Sequence, residues 1–201
     1  MDVDLRELAA GDNCNALSLG DPAFTPLKSF LRKEAKKLHQ EHLARTYVLV
    51  RRGETRVLAY ITTLCMHVAV EQFGDHVLVD SYRYKDFPAI KLARLAVDAS
   101  LRGQGIGGKL VDWMIGLLIE RVMPHTGCRF LVVDAKPESV GFYTAKGFLP
   151  VGSAPTDETK PPRCSLTCTV CWLPWPPLRP EDKLNPDLQI FSSCKPAATP
   201  F

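Results

Sequence analysis

The chain has 201 residues, enough for one compact domain of about 150 residues with an appendage and too few for two well-cored domains. Apolar residues make up 46% and charged residues 23%, which excludes a disordered, collagenous or coiled-coil chain. A net charge of +3, from 25 basic and 22 acidic residues, does not announce a nucleic-acid binder, so any basic surface must be local.

Met1 to Glu7 is acidic and lacks an apolar run, so no signal or transit peptide is expected, and Asp4 to Leu8 opens as a strand. Pro26 to Leu43 predicts a helix, because Leu27, Leu31, Ala35 and Leu38 recur at helical spacing and Pro26 suits a first turn. Lys28, Arg32, Lys33, Lys36 and Lys37 occupy its remaining faces. Thr46 to Arg51 and Arg56 to Val70, rich in β-branched and aromatic residues, flank Gly53-Glu54 and predict a hairpin. The most apolar stretch, Val57 to Val70, contains Thr62, Thr63 and His67 and falls short of the roughly 20 residues of a membrane span. A soluble, cytoplasmic protein without membrane contact is therefore expected. Residues 72–88, with Gly74, several aspartates and Pro88, predict a loop.

Ile90 to Val97 predicts a strand, and Ile106 to Val122 a helix that buries Leu110, Trp113, Met114, Leu117 and Leu118. Cys128 to Asp134 predicts the next strand and Glu138 to Lys146 a short helix ended by Gly147. Strand, helix and strand in that order form a βαβ unit, which favours parallel pairing. Phe148 to Gly152 and Arg163 to Leu173 supply two last strands around a loop holding Pro155, Pro161 and Pro162. From Pro174 the prolines at 176, 177, 180, 186, 196 and 200 exclude regular helix or central strand. The domain is thus expected over residues 1–175, with residues 176–201 a proline-rich tail that Trp175, Leu178, Ile190 and Phe191 can anchor.

Arg102-Gly103-Gln104-Gly105-Ile106-Gly107-Gly108-Lys109, between a strand and a helix, is the most informative stretch. Closely spaced glycines let backbone N–H groups crowd around an anion, and the helix N-terminus adds partial positive charge, so a phosphate site is expected. Three patterns compete for it. Gly103, Gly105 and Gly108 spell the dinucleotide signature, with Asp134 near the place of a ribose-binding acid, but residues 98–102 intervene after the strand. Gly103, Gly108 and Lys109 begin a P-loop, yet Leu110 stands where a magnesium-binding Ser or Thr belongs. The third pattern, R-x-x-G-x-G, is met by Arg102, Gly105 and Gly107.

With that loop, and with Phe142-Tyr143-Thr144-Ala145-Lys146-Gly147-Phe148 after the strand Arg129 to Val133, the sequence resembles the GNAT acetyltransferase superfamily. The resemblance implies an α/β fold of the acyl-CoA N-acyltransferase type, a central mixed sheet with helices on both faces, and acetyl-CoA as cofactor. The pyrophosphate would lie on Arg102, Gly103, Gln104, Gly105, Ile106, Gly107, Gly108 and Lys109, and the backbone of Leu95, Ala96 and Val97 would bond the pantetheine arm. Tyr143 would be the catalytic general acid, a phenol of pKa ~10 protonating a thiolate whose thiol has pKa ~8.5. Where many relatives carry asparagine and alanine ahead of that tyrosine, this chain has Lys136 and Ser139.

No general base stands out among His67, Glu71 and Asp98. A lysine acceptor of pKa ~10.4 needs strong deprotonation, whereas an α-amino group near pKa ~7.7 is already substantially neutral. Pro26 to Arg32, Arg45 to Val50 and Leu92-Ala93-Arg94-Leu95-Ala96-Val97-Asp98 add a narrower resemblance, to the GNAT toxins of bacterial toxin-antitoxin modules. It implies a charged-tRNA acceptor held on Lys28, Arg32, Lys33, Lys36, Lys37 and Arg45, a small antitoxin partner and a homodimer. Acetylation of a small amine or a protein lysine, and a non-catalytic acyl-CoA-binding module, stand as alternatives.

Seven cysteines, an odd set, are scattered as free thiols would be in a reducing compartment. Cys164, Cys168 and Cys171 have a spacing used for iron-sulfur clusters, and CxxC suggests zinc, but a strand there would turn Cys171 away from the others. No metal site is expected.

Overall fold

The computed structural model describes residues 2–69, 83–150 and 167–172. The described residues pack as two compact units, one built from 2–62 and 94–113, the other from 63–69, 83–93, 114–150 and 167–172.

In the first unit the strands β1 (Val3–Glu7), β2 (Arg45–Arg51), β3 (Val57–Ala69) and β4 (Asp86–Val97) are hydrogen-bonded in that order, β3 and β4 continuing into the second unit. β1 runs antiparallel to β2, from Val3 opposite Arg51 to Glu7 opposite Tyr47. Strand alternation sends neighbouring side chains to opposite faces, and each face has its own cover. Val48, Val50, Tyr60 and Ala96 pack with Phe30, Leu31 and Ala35, which belong to helices α1 (Thr25–Lys33) and α2 (Ala35–Gln40). Tyr47, Leu49, Ala59, Leu95 and Val97 pack with Ile106, Leu110 and Trp113 of helix α3 (Ile106–Leu117). Helices therefore cover both faces of the sheet.

The helix expected from Pro26 to Leu43 is two helices. Glu34, at φ −119°, ends α1 and starts α2, and the turn brings the fully buried Ala35 and the half-buried Leu38 into the core that already holds Phe30 and Leu31. After Gln40 the chain leaves through His42 in the left-handed region, φ 59°, with the N–H groups of Leu43 and Ala44 both donating to the Leu38 carbonyl. A single straight helix would carry Ala44, which is buried, away from the start of β2.

In the second unit the order is β3-β4-β5-β7-β6, with β5 at Phe130–Ala135, β6 at Leu149–Pro150 and β7 at Thr167–Trp172. β4 pairs in parallel with β5, as the βαβ reading requires, while β5 with β7 and β6 with β7 are antiparallel. The sheet is mixed. β4 starts earlier than expected, at Asp86, because Phe87 and Ala89 are both buried around an exposed Pro88 whose carbonyl accepts from the Arg129 N–H at 2.8 Å. Residues 86–88 are therefore strand and not loop. β6 and β7 fall within the two runs expected to supply the last strands, and residues 151–166, the remainder of the 72–88 loop up to residue 82, and residues 173–201 with the tail lie outside the described residues.

α3 buries Leu110, Val111 and Met114, then widens into a π-helical turn over Leu118–Val122, which occupies the end of the expected long helix. A short 3-10 turn, Pro137–Ser139, leads into α4 (Val140–Thr144), and Gly147 at φ 82° turns the chain back so that the Phe148 N–H donates to the Tyr143 carbonyl. Among the described residues no helix is long and apolar enough to cross a membrane, and no group of three His, Cys, Asp or Glu side chains could hold a metal ion. Cys168 and Cys171 fall within β7, whereas Cys164 and Cys194 lie outside the described residues.

Candidate active site

β4 ends at Val97, and a 3-10 turn over Ala99–Leu101 leads into the glycine loop. Gly103 and Gly105 adopt φ 75° and 74°, a region that L side chains rarely enter. A Cβ at either position would meet no atom within 4 Å, so the backbone angle, not crowding, demands glycine, and the space beside the loop is open. The first helical hydrogen bond of α3 runs from the Lys109 N–H to the Gly105 carbonyl at 3.1 Å. The N–H groups of Ile106, Gly107 and Gly108 thus have no acceptor within the helix, and the first turn carries no acidic residue. Open space, unspent donors and a helix N-terminus suit a pyrophosphate, the group by which acetyl-CoA would be held here.

Two side chains at this corner are spent on holding it. Asp98 is 2% exposed and accepts from the N–H of Ser18 at 2.9 Å, the N–H of Ser100 at 3.0 Å and the hydroxyl of Ser100 at 2.7 Å, with Arg56 at 3.5 Å. Burial pushes its pKa up, but the hydrogen bonds from Ser18 and Ser100 and the Arg56 charge outweigh it and hold the carboxyl below its ordinary value. A carboxylate so engaged is an organiser of the loop and no general base. The Arg102 guanidinium donates to the Leu19 carbonyl and lies 4.8 Å from the centre of the Phe24 ring. Gln104 bonds the Ser100 carbonyl at 3.2 Å, and Lys109 is half-buried.

Leu95, Ala96 and Val97 stand at the end of β4, beyond the residues that pair with β5, with their side chains packed in the two cores, so a ligand at that edge would meet backbone. In the second unit, β4–β5 pairing covers only Ala89–Lys91 with Phe130–Val132, while β5 continues to Ala135 with β7 as its partner. Tyr143 sits on α4, 7% exposed, edge-on to Phe142 at 4.9 Å and to Phe148 at 5.4 Å. Burial pushes its phenol up to about 12, and its hydroxyl has no hydrogen-bond partner among the described residues. His67 is exposed on β3, and Glu71 lies outside the described residues.

The basic residues divide. Lys28 and Lys33 have no partner among the described residues, Arg32 bonds Asn15 at 2.8 Å, and Lys37 sits 3.9 Å from Glu41. Lys36 instead donates to the carbonyls of Ala10 at 2.6 Å and Asp12 at 2.9 Å, and Arg45 is held by His39, His42 and Glu7. Sequence reasoning missed Ser18, Gly20 and Phe24, which brace the loop from far away in the chain, and the Lys91–Asp134 ion pair. Only Gly20, at φ 70°, carries a type that hints at such a place.

Residues 46–150, more than half of the chain, match the family profile described as "Acetyltransferase (GNAT) domain". A "tRNA-acetylating toxin" of Mycobacterium tuberculosis (strain ATCC 25618 / H37Rv) is 30% identical over 139 residues, which is 69% of this chain and 79% of that protein. Among solved structures, AtaT complexed with acetyl-methionyl-tRNAfMet superposes with a TM-score of 0.73 at 24% identity, covering 85% of this chain and 95% of that one. A tyrosine mutant of AtaT, bound to the C-terminus of the antitoxin AtaR and acetyl-CoA, gives 0.66 at 22% identity, covering 86% and 94%. The chain belongs to the GNAT acetyltransferases: it is an N-acetyltransferase that uses acetyl-CoA.

Proposed function

We propose that the chain transfers the acetyl group of acetyl-CoA to the α-amino group of an aminoacyl-tRNA. The observation that carries this reading is the 30% identity with a tRNA-acetylating toxin across most of both chains. The exposed Arg32, Lys33 and Lys37 and the half-buried Lys28 support it as a phosphate-binding row on α1 and α2, while Lys36 and Arg45 are engaged by groups of the chain itself. Such contacts weaken steeply with salt.

Acetyl-CoA supplies the activated thioester whose carbonyl the amine attacks. The N–H groups of residues 106–108 hold its pyrophosphate, and the backbone of Leu95, Ala96 and Val97 orients its pantetheine arm. Tyr143 keeps its proton at the phenol oxygen and delivers it to the departing sulfur as the carbon–sulfur bond breaks. An α-amine with pKa near ~7.7 loses its proton to water without a strong base. That suits a chain whose Asp98 is fully engaged.

The protein acts in the cytoplasm as a homodimer restrained by a small antitoxin, the catalytic domain ends near Trp175, and the proline-rich tail is an accessory. The test offers labelled acetyl-CoA to charged tRNA, deacylated tRNA, small amines and lysine peptides. Label on charged tRNA alone is the expected result, whereas label confined to small amines or peptides would overturn the acceptor assignment. A chain ending at Trp175 is expected to fold and bind acetyl-CoA.

A further inference from the structure

The segment before α1 lies along the corner between β4 and α3, joined to it at five points. Ser18 donates its N–H to Asp98 at 2.9 Å and accepts from the Ala99 N–H at 2.7 Å. Gly20, at φ 70°, passes so close that an added Cβ would stand 3.3 Å from the Ala99 Cβ. Arg102, the first residue of the glycine loop, reaches back to the Leu19 carbonyl and covers the Phe24 ring at 4.8 Å. Phe24 is in turn the N-cap residue of α1 and packs against the core formed by Phe30, Leu31 and Tyr60. The guanidinium at the head of the cofactor loop is thereby committed to the start of α1.

We infer that Phe24 is a positioning residue of the acetyl-CoA site. It holds Arg102, and through Arg102 the glycine loop, in the geometry that receives the pyrophosphate. Arg102 then works through the loop's backbone and not as a charge on the phosphates. The carbonyl of Leu19 and the face of Phe24 together orient the guanidinium toward the start of α1. The loop it anchors contains two glycines, Gly103 and Gly105, whose backbone has many accessible conformations, so an anchor at its head narrows them to the one that receives the pyrophosphate. This inference rests on the acetyltransferase assignment and goes beyond it, because nothing in the sequence motif includes Phe24.

The test measures acetyl-CoA and acetyl-pantetheine, which lacks the pyrophosphate, as ligands of the full chain and its variants. Phe24→Ala and Arg102→Met are each expected to weaken acetyl-CoA about threefold to tenfold while leaving acetyl-pantetheine within twofold. The double variant is expected to be no weaker than the weaker single one, because both remove one contact. Phe24→Tyr, which keeps the ring, should restore wild-type affinity. Equal loss for both ligands would mean general destabilisation and overturn the inference. So would wild-type acetyl-CoA affinity in Phe24→Ala with a loss in Arg102→Met, the pattern of a direct phosphate contact. If Phe24→Ala does not fold, Phe24→Leu, which keeps an apolar side chain and removes the ring face, carries the test: weaker acetyl-CoA binding with acetyl-pantetheine within twofold is expected, and wild-type acetyl-CoA affinity would overturn the inference. A wild-type chain that bound no acetyl-CoA would contradict the family assignment itself and the inference with it.

Discussion

Lys91 on β4 and Asp134 on β5 form an ion pair at the point where the parallel ladder between their strands stops, Lys91 being the last β4 residue in register, opposite Val132. The two side chains are 28% and 33% exposed, so water screens the pair but does not dissolve it. The bridge closes the strands together at the place where backbone hydrogen bonds cease to do so.

Removing one partner should therefore cost little and measurably. Lys91→Met is expected to lower stability by about 0.5–1 kcal/mol, read as a fall in the thermal midpoint. A double-mutant cycle with Asp134→Asn should return a coupling of similar size. Additive losses would show that the pair contributes nothing of its own.

Asp98 and Asp12 make the fold sensitive to acid. Burial raises the pKa of each, but hydrogen bonds and neighbouring cations, Arg6, Ala9 and Lys36 for Asp12, Ser18, Ser100 and Arg56 for Asp98, hold both below the ordinary value of 3.8. A carboxyl depressed in the folded state stabilises fully above its unfolded pKa, and that stability is lost as pH falls from there through the folded pKa. Asp98→Ala should cost about 2–4 kcal/mol at neutral pH, since it strands the Ser18 and Ser100 donors, and should flatten the acid limb of the stability curve below about pH 4. An unchanged acid limb would assign the acid sensitivity to other groups.

Tyr143→Phe preserves the ring contacts with Phe142 and Phe148 and removes only a hydroxyl that has no partner among the described residues. Thermal stability and acetyl-CoA binding are expected to hold while turnover falls about tenfold to a thousandfold. Because burial pushes this phenol up to about 12, the wild-type rate should rise with pH as the acceptor amine deprotonates and then stay level through about pH 10. Wild-type turnover in the variant would make Tyr143 a packing residue.

Much of this was legible from the chain. The glycine loop, its helix and β4 follow from periodicity and from glycine at positions 103 and 105, where the backbone does enter the left-handed region. The break at Glu34 was not, because Leu27, Leu31, Ala35 and Leu38 keep a helical spacing straight across it and only the shape of the core demands the turn. Pro88 argued for a loop, but its neighbours Phe87 and Ala89 find buried places and the strand runs through it. The bracing of Arg102 by Leu19 and Phe24 joins segments far apart in the chain, and no local pattern records it.

The central claim is that acetyl-CoA is held on the loop from Arg102 to Lys109. Isothermal titration of acetyl-CoA into the wild type, Gly105→Asp and Gly107→Asp tests it most directly. Each substitution sets a carboxylate where the pyrophosphate must lie, and at Gly105 it also opposes the φ of 74°. The wild type is expected to bind, and both variants, folded by their thermal melts, are expected to lose the binding. Unchanged affinity in both would contradict the assignment.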